Sequence, residues 1–111
     1  MQGAADAFFE GLAQRGHEPL LAKTSGTVKV ELTDGKKVER WLVTIDRGDV
    51  SVSHRNVRAD CTLRGRKELF DGIAAGEVRP MPAVLRGEIG LDGDWELIVL
   101  FQRLFPSGSA G

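Results

Sequence analysis

The sequence predicts an α+β domain in which helices pack on one face of a mainly antiparallel sheet. Three observations predict it. Four successive runs between residues 28 and 64 alternate apolar and polar side chains with a period of two. The pattern on either side of them returns to helical spacing. The strands are grouped rather than interleaved with helices, as a layered α+β architecture requires. One-faced alternation marks an antiparallel sheet covered on one side, because a parallel sheet buried on both faces reads as unbroken apolar runs.

Ala5, Phe8, Phe9 and Leu12 share one helical face and Asp6, Glu10 and Gln14 the other, which predicts a helix from about Ala4 to Arg15, closed by Gly16. Pro19 breaks the chain, Leu20 and Leu21 form a short apolar plug, and Thr24-Ser25-Gly26 reads as a turn. In the first strand Val28, Val30 and Leu32 alternate with Lys29, Glu31 and Thr33, and Asp34-Gly35 supplies hairpin chemistry. The returning strand carries Trp41, Val43 and Ile45 on one face and Leu42 and Thr44 on the other. After the Asp46 to Asp49 turn, Val50 and Val52 oppose Ser51 and Ser53. A polar loop from His54 to Arg58 precedes a fourth strand, where Ala59, Cys61 and Leu63 alternate with Asp60, Thr62 and Arg64.

Helical spacing resumes with Leu69, Phe70 and Ile73 and ends at Gly76. Pro80-Met81-Pro82 reads as a rigid elbow, with Pro82 in the first turn of a short helix through Leu85 that Gly87 stops. Ile89 and Leu91 form a short fifth strand before the Asp92-Gly93 turn. A last helix is expected from about Asp94 to Phe105, stopped by Pro106. Leu97, Ile98, Leu100, Phe101, Leu104 and Phe105 fill an arc of about 160°, wider than the stripe of about 100° that covering a sheet demands, with Val99 outside it. Trp95 falls outside that arc and is expected to be partly wet. Residues 1–106 read as one domain and 107–111 as a disordered tail.

Fifteen basic against sixteen acidic residues leave a formal charge of −1, which removes the electrostatic case for nucleic acid. The single cysteine excludes an internal disulfide and a Cys-rich zinc site. The first eleven residues lack a signal-peptide pattern, and the longest apolar run, Leu97 to Phe101, is far short of a membrane span. A cytoplasmic protein is expected.

No hydrolase elbow, phosphate-binding loop or zinc-protease motif occurs. His17 and His54 lack partners at metal-ligand spacing. Cys61 shares its strand's apolar face and reads as a small core residue, since a catalytic thiol wants a base or helix N-terminus beside it. Asp46 and Asp49 read as turn residues, and Arg47-Gly48-Asp49 as a coincidental tripeptide. Gly87, Gly90 and Gly93 lack a dinucleotide-binding spacing. No catalytic residue, metal or cofactor is assigned.

In order along the chain stand Gly26-Thr27-Val28 opening the sheet, Trp41, Gly48-Asp49 and Ala59-Asp60-Cys61-Thr62-Leu63. A helix closed by Gly76, the Ala83 to Gly87 segment and Gly93-Asp94 follow. This ordered set, covering about Phe8 to Phe105, resembles the sterol carrier protein type 2 family. The resemblance implies a five-stranded, mainly antiparallel sheet with helices enclosing an apolar tunnel for fatty acyl chains, sterols or similar lipids. Two departures stand out. Glu88 occupies a position where many members carry a basic residue, which removes the basis for expecting an anionic headgroup contact there. Ser109-Ala110-Gly111 carries no peroxisomal address.

The expected function is therefore non-catalytic binding or carriage of an apolar ligand between sheet and helices. On the sheet the candidate pocket residues are Val28, Val30, Trp41, Val43, Val50 and Val52. On the helices they are Leu69, Phe70, Ile73, Met81, Val84, Leu85, Phe101 and Phe105. Met81 suits a pocket because a flexible thioether repacks around different ligands. An empty rigid cavity near 300 Å³ would cost about 7 kcal/mol, so the site is expected to be occupied, hydrated or collapsible. Binary pattern does not separate a hollow core from a filled one. The alternative is a solid protein-interaction domain, a possible homodimer, acting as accessory to a partner enzyme.

Overall fold

A computed structural model describes residues 3–105, so the tail expected at 107–111 lies outside the described residues. Helix α1 (Ala4–Arg15) ends as the sequence predicts, with Gly16 at φ 68°. A single tight turn (Pro19–Leu21) buries Leu21 and leaves Leu20 exposed. Strands β1 (Ser25–Asp34), β2 (Lys37–Asp46), β3 (Asp49–Ser53) and β4 (Cys61–Arg66) follow, then α2 (Lys67–Ala74), α3 (Pro80–Leu85), β5 (Gly90–Gly93) and α4 (Trp95–Gln102).

Five boundaries differ from expectation: β4 begins at Cys61 rather than Ala59, β5 leaves out Ile89 and takes in the expected Asp92-Gly93 turn, and three others have a local cause. β1 begins at Ser25, inside the expected turn, because Ser25 and Gly26 continue the ladder opposite Asp46 and Ile45. α3 begins at Pro80 rather than Pro82, since neither proline is asked for an N–H in a helix's first turn. α4 stops at Gln102, where the chain tightens: the N–H groups of Arg103, Leu104 and Phe105 bond three residues back.

The five strands lie in the order β3-β2-β1-β4-β5. All neighbours are antiparallel except β1 and β4, which run parallel from Val28↔Cys61 to Thr33↔Arg66. The connection 54–60 therefore carries the chain from the β3 edge past β2 and β1. Lys29, on the outer face beside Leu42, donates to Asn56 at 3.2 Å and holds that connection over the face. Leu42, which alternation places on that face, is buried there beside Lys29.

On the inner face Val28, Val30, Leu32, Trp41, Val43 and Ile45 pack against the helices. Phe9 of α1 stacks on Trp41, with ring centroids 4.9 Å apart. Asp71 of α2 accepts from the Ala5 N–H at 2.9 Å, and Lys67 bridges Asp6 and Glu39, so α1 and α2 are tied to each other and to β2.

Four of the glycine and aspartate signals, Gly26, Asp60, Gly93 and Asp94, converge at one junction. The Asp60 carboxylate accepts from the Thr27 N–H at 2.8 Å and from its hydroxyl at 3.2 Å, and the Thr27 hydroxyl accepts from the Asp60 N–H. The Asp60 carbonyl accepts from the Asp94 N–H, and the Asp94 carboxylate caps α4 through the Leu97 N–H. Gly93, at φ 98°, lies so close that a Cβ there would sit 2.2 Å from the Asp60 carbonyl oxygen. The junction fastens β1, β4, β5 and the start of α4 together.

Candidate functional site

A small, partly open apolar cavity lies where the β4–β5 end of the sheet meets the last three helices. The sheet contributes Leu63 and Leu91, with Ile89 just before β5; α2 contributes Phe70 and Ile73. α3 adds Pro80, Met81 and Val84, while Ile98, Gln102 and Phe105 close it from the last helix and its end. Gly65 makes room for the Phe70 ring, since a Cβ there would lie 2.8 Å from it. Phe105 is fixed by stacking on Phe8 at 4.2 Å and by an edge contact with Phe101.

The cavity measures about 30 Å³, against roughly 300–1,000 Å³ for a drug-sized ligand's site. The interior is therefore nearly filled at this point. The most lightly held wall is α3, whose six residues bury only Ala83. It is flanked by Gly76 at φ 80° and Gly87 at φ 77°. Pro80, Met81, Gln102 and Phe105 also line a solvent-open cleft of about 510 Å³, completed by Arg79, Pro82 and Arg103.

The structure divides the candidate pocket residues. Phe70, Ile73, Met81, Val84 and Phe105 come together around the cavity. Val28, Val30, Trp41, Val43, Val50, Leu69 and Phe101 are buried in the core without lining it, and Val52 packs partly buried against that core. Leu85 is not brought to the others: it is 83% exposed, because the face of α3 that turns inward is centred on Ala83. Leu63, Ile89, Leu91 and Ile98 line the cavity without having been singled out for it, although each stood in the apolar pattern of its element.

Trp41 is 6% exposed and Trp95 52%, as their positions predict. Trp41 nevertheless faces away from the cavity, lying between Phe9 and the His54 ring, 4.2 Å from the latter. His17 pairs with Asp49 at 2.9 Å at the surface, and His54 bonds the Arg40 carbonyl through Nδ1. Cys61 is buried; loss of water, with the Asp94 and Asp60 charges nearby, pushes its thiol up to about 12. Glu31 would be raised by burial, but hydrogen bonds and charge from Arg40 and Arg64 outweigh that and hold it below the usual carboxylate range. No group of three potential metal ligands occurs among the described residues.

The SCP-2 sterol transfer family matches residues 6–106. The chain belongs to that family. Solved structures agree on the fold. The SCP-2 of Aedes aegypti in complex with palmitate superposes with a TM-score of 0.73 at 24% identity, covering 93% of this chain and 94% of that one. The sterol carrier protein domain 2 of Helicoverpa armigera gives 0.74 at 18% identity, covering 92% and 85%. The stereoselective inverting sec-alkylsulfatase Pisa1 from Pseudomonas sp. gives 0.72 at 28% identity over 94% of this chain. This chain spans 16% of that enzyme's length. No curated protein matches. The junction of Gly26-Thr27, Asp60 and Gly93-Asp94, which carried much of the SCP-2 resemblance, thus sits outside the cavity and holds the frame around it.

Proposed function

We propose that this domain carries an apolar ligand in the cavity between β4–β5 and helices α2, α3 and α4, without catalysing a reaction on it. The observation that carries the reading is the cavity itself: a small apolar space with one lightly packed wall, opening on a larger cleft, in a chain of the SCP-2 family. The palmitate complex of the Aedes aegypti relative supports the same ligand class. The non-catalytic part is supported by the sole thiol, which is buried and held protonated. A ligand enters by displacing α3, which offsets the missing volume without disturbing the packed sheet beneath α1. Nothing in this route calls for a membrane-spanning helix, and among the described residues no helix is long and apolar enough to be one.

Val84→Trp is expected to fill the cavity and weaken binding of a fluorescent long-chain fatty acid at least about tenfold, as lost burial of two or more methylenes would. Leu85→Ala, one residue away but outside the cavity, is expected to leave the affinity unchanged. Equal binding by wild type and Val84→Trp would place the ligand elsewhere.

A second reading, an accessory domain docking to an enzyme or to a second copy, is favoured by the likeness to one part of the alkylsulfatase. Sedimentation with and without added lipid separates the two: a tight dimer with no lipid uptake favours the accessory role.

A further inference from the structure

We propose that the mouth of the cavity selects long-chain anions, with Arg79 and Arg103 as the headgroup contacts. The inference rests on the cavity being the ligand site and narrows the ligand's chemistry. The open cleft of about 510 Å³ shares Pro80, Met81, Gln102 and Phe105 with the cavity, so a molecule lying across both would place one end in each. Its size falls within the range of about 300–1,000 Å³ for small-molecule sites. Two guanidinium side chains and no carboxylate line it among the described residues. Arg79 stands immediately before α3 and Arg103 immediately after α4, so each of the two elements bordering the cleft brings one arginine to it.

Two features that would repel an anion are neutralised. The carbonyls of Leu100, Phe101 and Gln102 at the end of α4 accept from the N–H groups of Arg103, Leu104 and Phe105. Glu88, the acidic departure noted in the sequence, does not line the cleft; its carboxylate is paired with Arg66 and Arg86. A carboxylate, sulfate or phosphate monoester head then meets planar, forked N–H donors that match its oxygens. The alkyl tail passes between Met81 and Phe105 into the apolar space.

Calorimetric titration at low ionic strength with dodecanoate, dodecyl phosphate, 1-dodecanol and inorganic phosphate tests this. Wild type is expected to bind both long-chain anions about tenfold tighter than the alcohol, as two exposed charge contacts would give, and to show no measurable binding of inorganic phosphate. Arg79→Gln/Arg103→Gln is expected to keep the alcohol's affinity and lose the preference, and Arg79→Lys/Arg103→Lys to retain part of it. If the double Gln variant fails to fold, each single Gln variant should lose part of the preference. Alcohol and carboxylate binding equally to wild type overturns the inference and leaves the carrier reading standing. Unchanged preference in the Gln variants, or phosphate binding as tightly as dodecyl phosphate, overturns the headgroup assignment. No amphiphile binding at all overturns the carrier reading and this inference with it.

Discussion

Gly93→Ala is expected to destabilise the domain by about 3–5 kcal/mol, a large part of the roughly 5–15 kcal/mol that holds a domain folded. Two costs combine. A side chain at φ 98° is strained by about 1–2 kcal/mol. The added carbon would also lie 2.2 Å from the Asp60 carbonyl oxygen and 2.8 Å from the Cys61 Cα, and backbone atoms cannot swing aside as a side chain's end can. Relief requires β5 to part from β4 and the Asp94 N–H to leave the Asp60 carbonyl, at about 1 kcal/mol per hydrogen bond. Gly87 is the control. It too has a positive φ, of 77°, but nothing lies within 4 Å of an added Cβ, so Gly87→Ala should cost about 1–2 kcal/mol. Urea unfolding of the two variants measures the difference, and equal losses would mean the β4–β5 approach is looser than described.

Cys61 is expected to react with a thiol reagent at pH 8 about a thousandfold slower in the folded protein than in the unfolded chain. With its thiol pushed up to about 12, the folded thiolate fraction at pH 8 is about 10⁻⁴. An unfolded thiol near 8.5 is about one quarter ionised. Burial of the sulfur adds to the protection. The same shift has a thermodynamic sign. The folded value lies above the unfolded one, so stability is full below about pH 8.5. It falls above that as the unfolded chain alone releases the proton, by up to about 1.4 kcal/mol per pH unit. Between pH 8.5 and 10 this decline should vanish in Cys61→Ala. Equal reaction rates for folded and unfolded protein would put Cys61 on the outer face and shift the β4 register by one residue.

The sequence carried the fold further than the site, for physical reasons. A period of two in β1 to β4 and a left-handed glycine at Gly16 are local signals, and the elements they mark stand where expected. The parallel pairing of β1 with β4 is not local: alternation looks the same in either direction, and only the path of residues 54–60 decides it. Leu42 stands on the outer face, as alternation places it, but its burial there is not a local signal either. For the site, alternation marks which side chains turn inward but not where the interior is incompletely filled. Val28, Val43 and Phe101 therefore looked no different from Phe70, Ile73 and Val84, although only the latter three border the cavity. Leu85 shows the limit of helical spacing in a helix of six residues, where one buried position, Ala83, leaves its neighbour but one in solvent.

The placement of β1 has a consequence for how the chain acquires its structure. β1 is the first strand made and lies at the centre of the sheet, with β2 on one side and β4 on the other. The β1–β2–β3 meander forms from neighbouring segments, but β1's second edge stays open until Cys61–Arg66 has been synthesised and docked. During that interval a ten-residue strand with Val28, Val30 and Leu32 on one face offers unpaired backbone groups to any passing chain. The closing step joins segments more than thirty residues apart, and such long-range pairing is slow. Aggregation in refolding is therefore expected to be greatest among chains that have formed β1 to β3 and not yet docked β4.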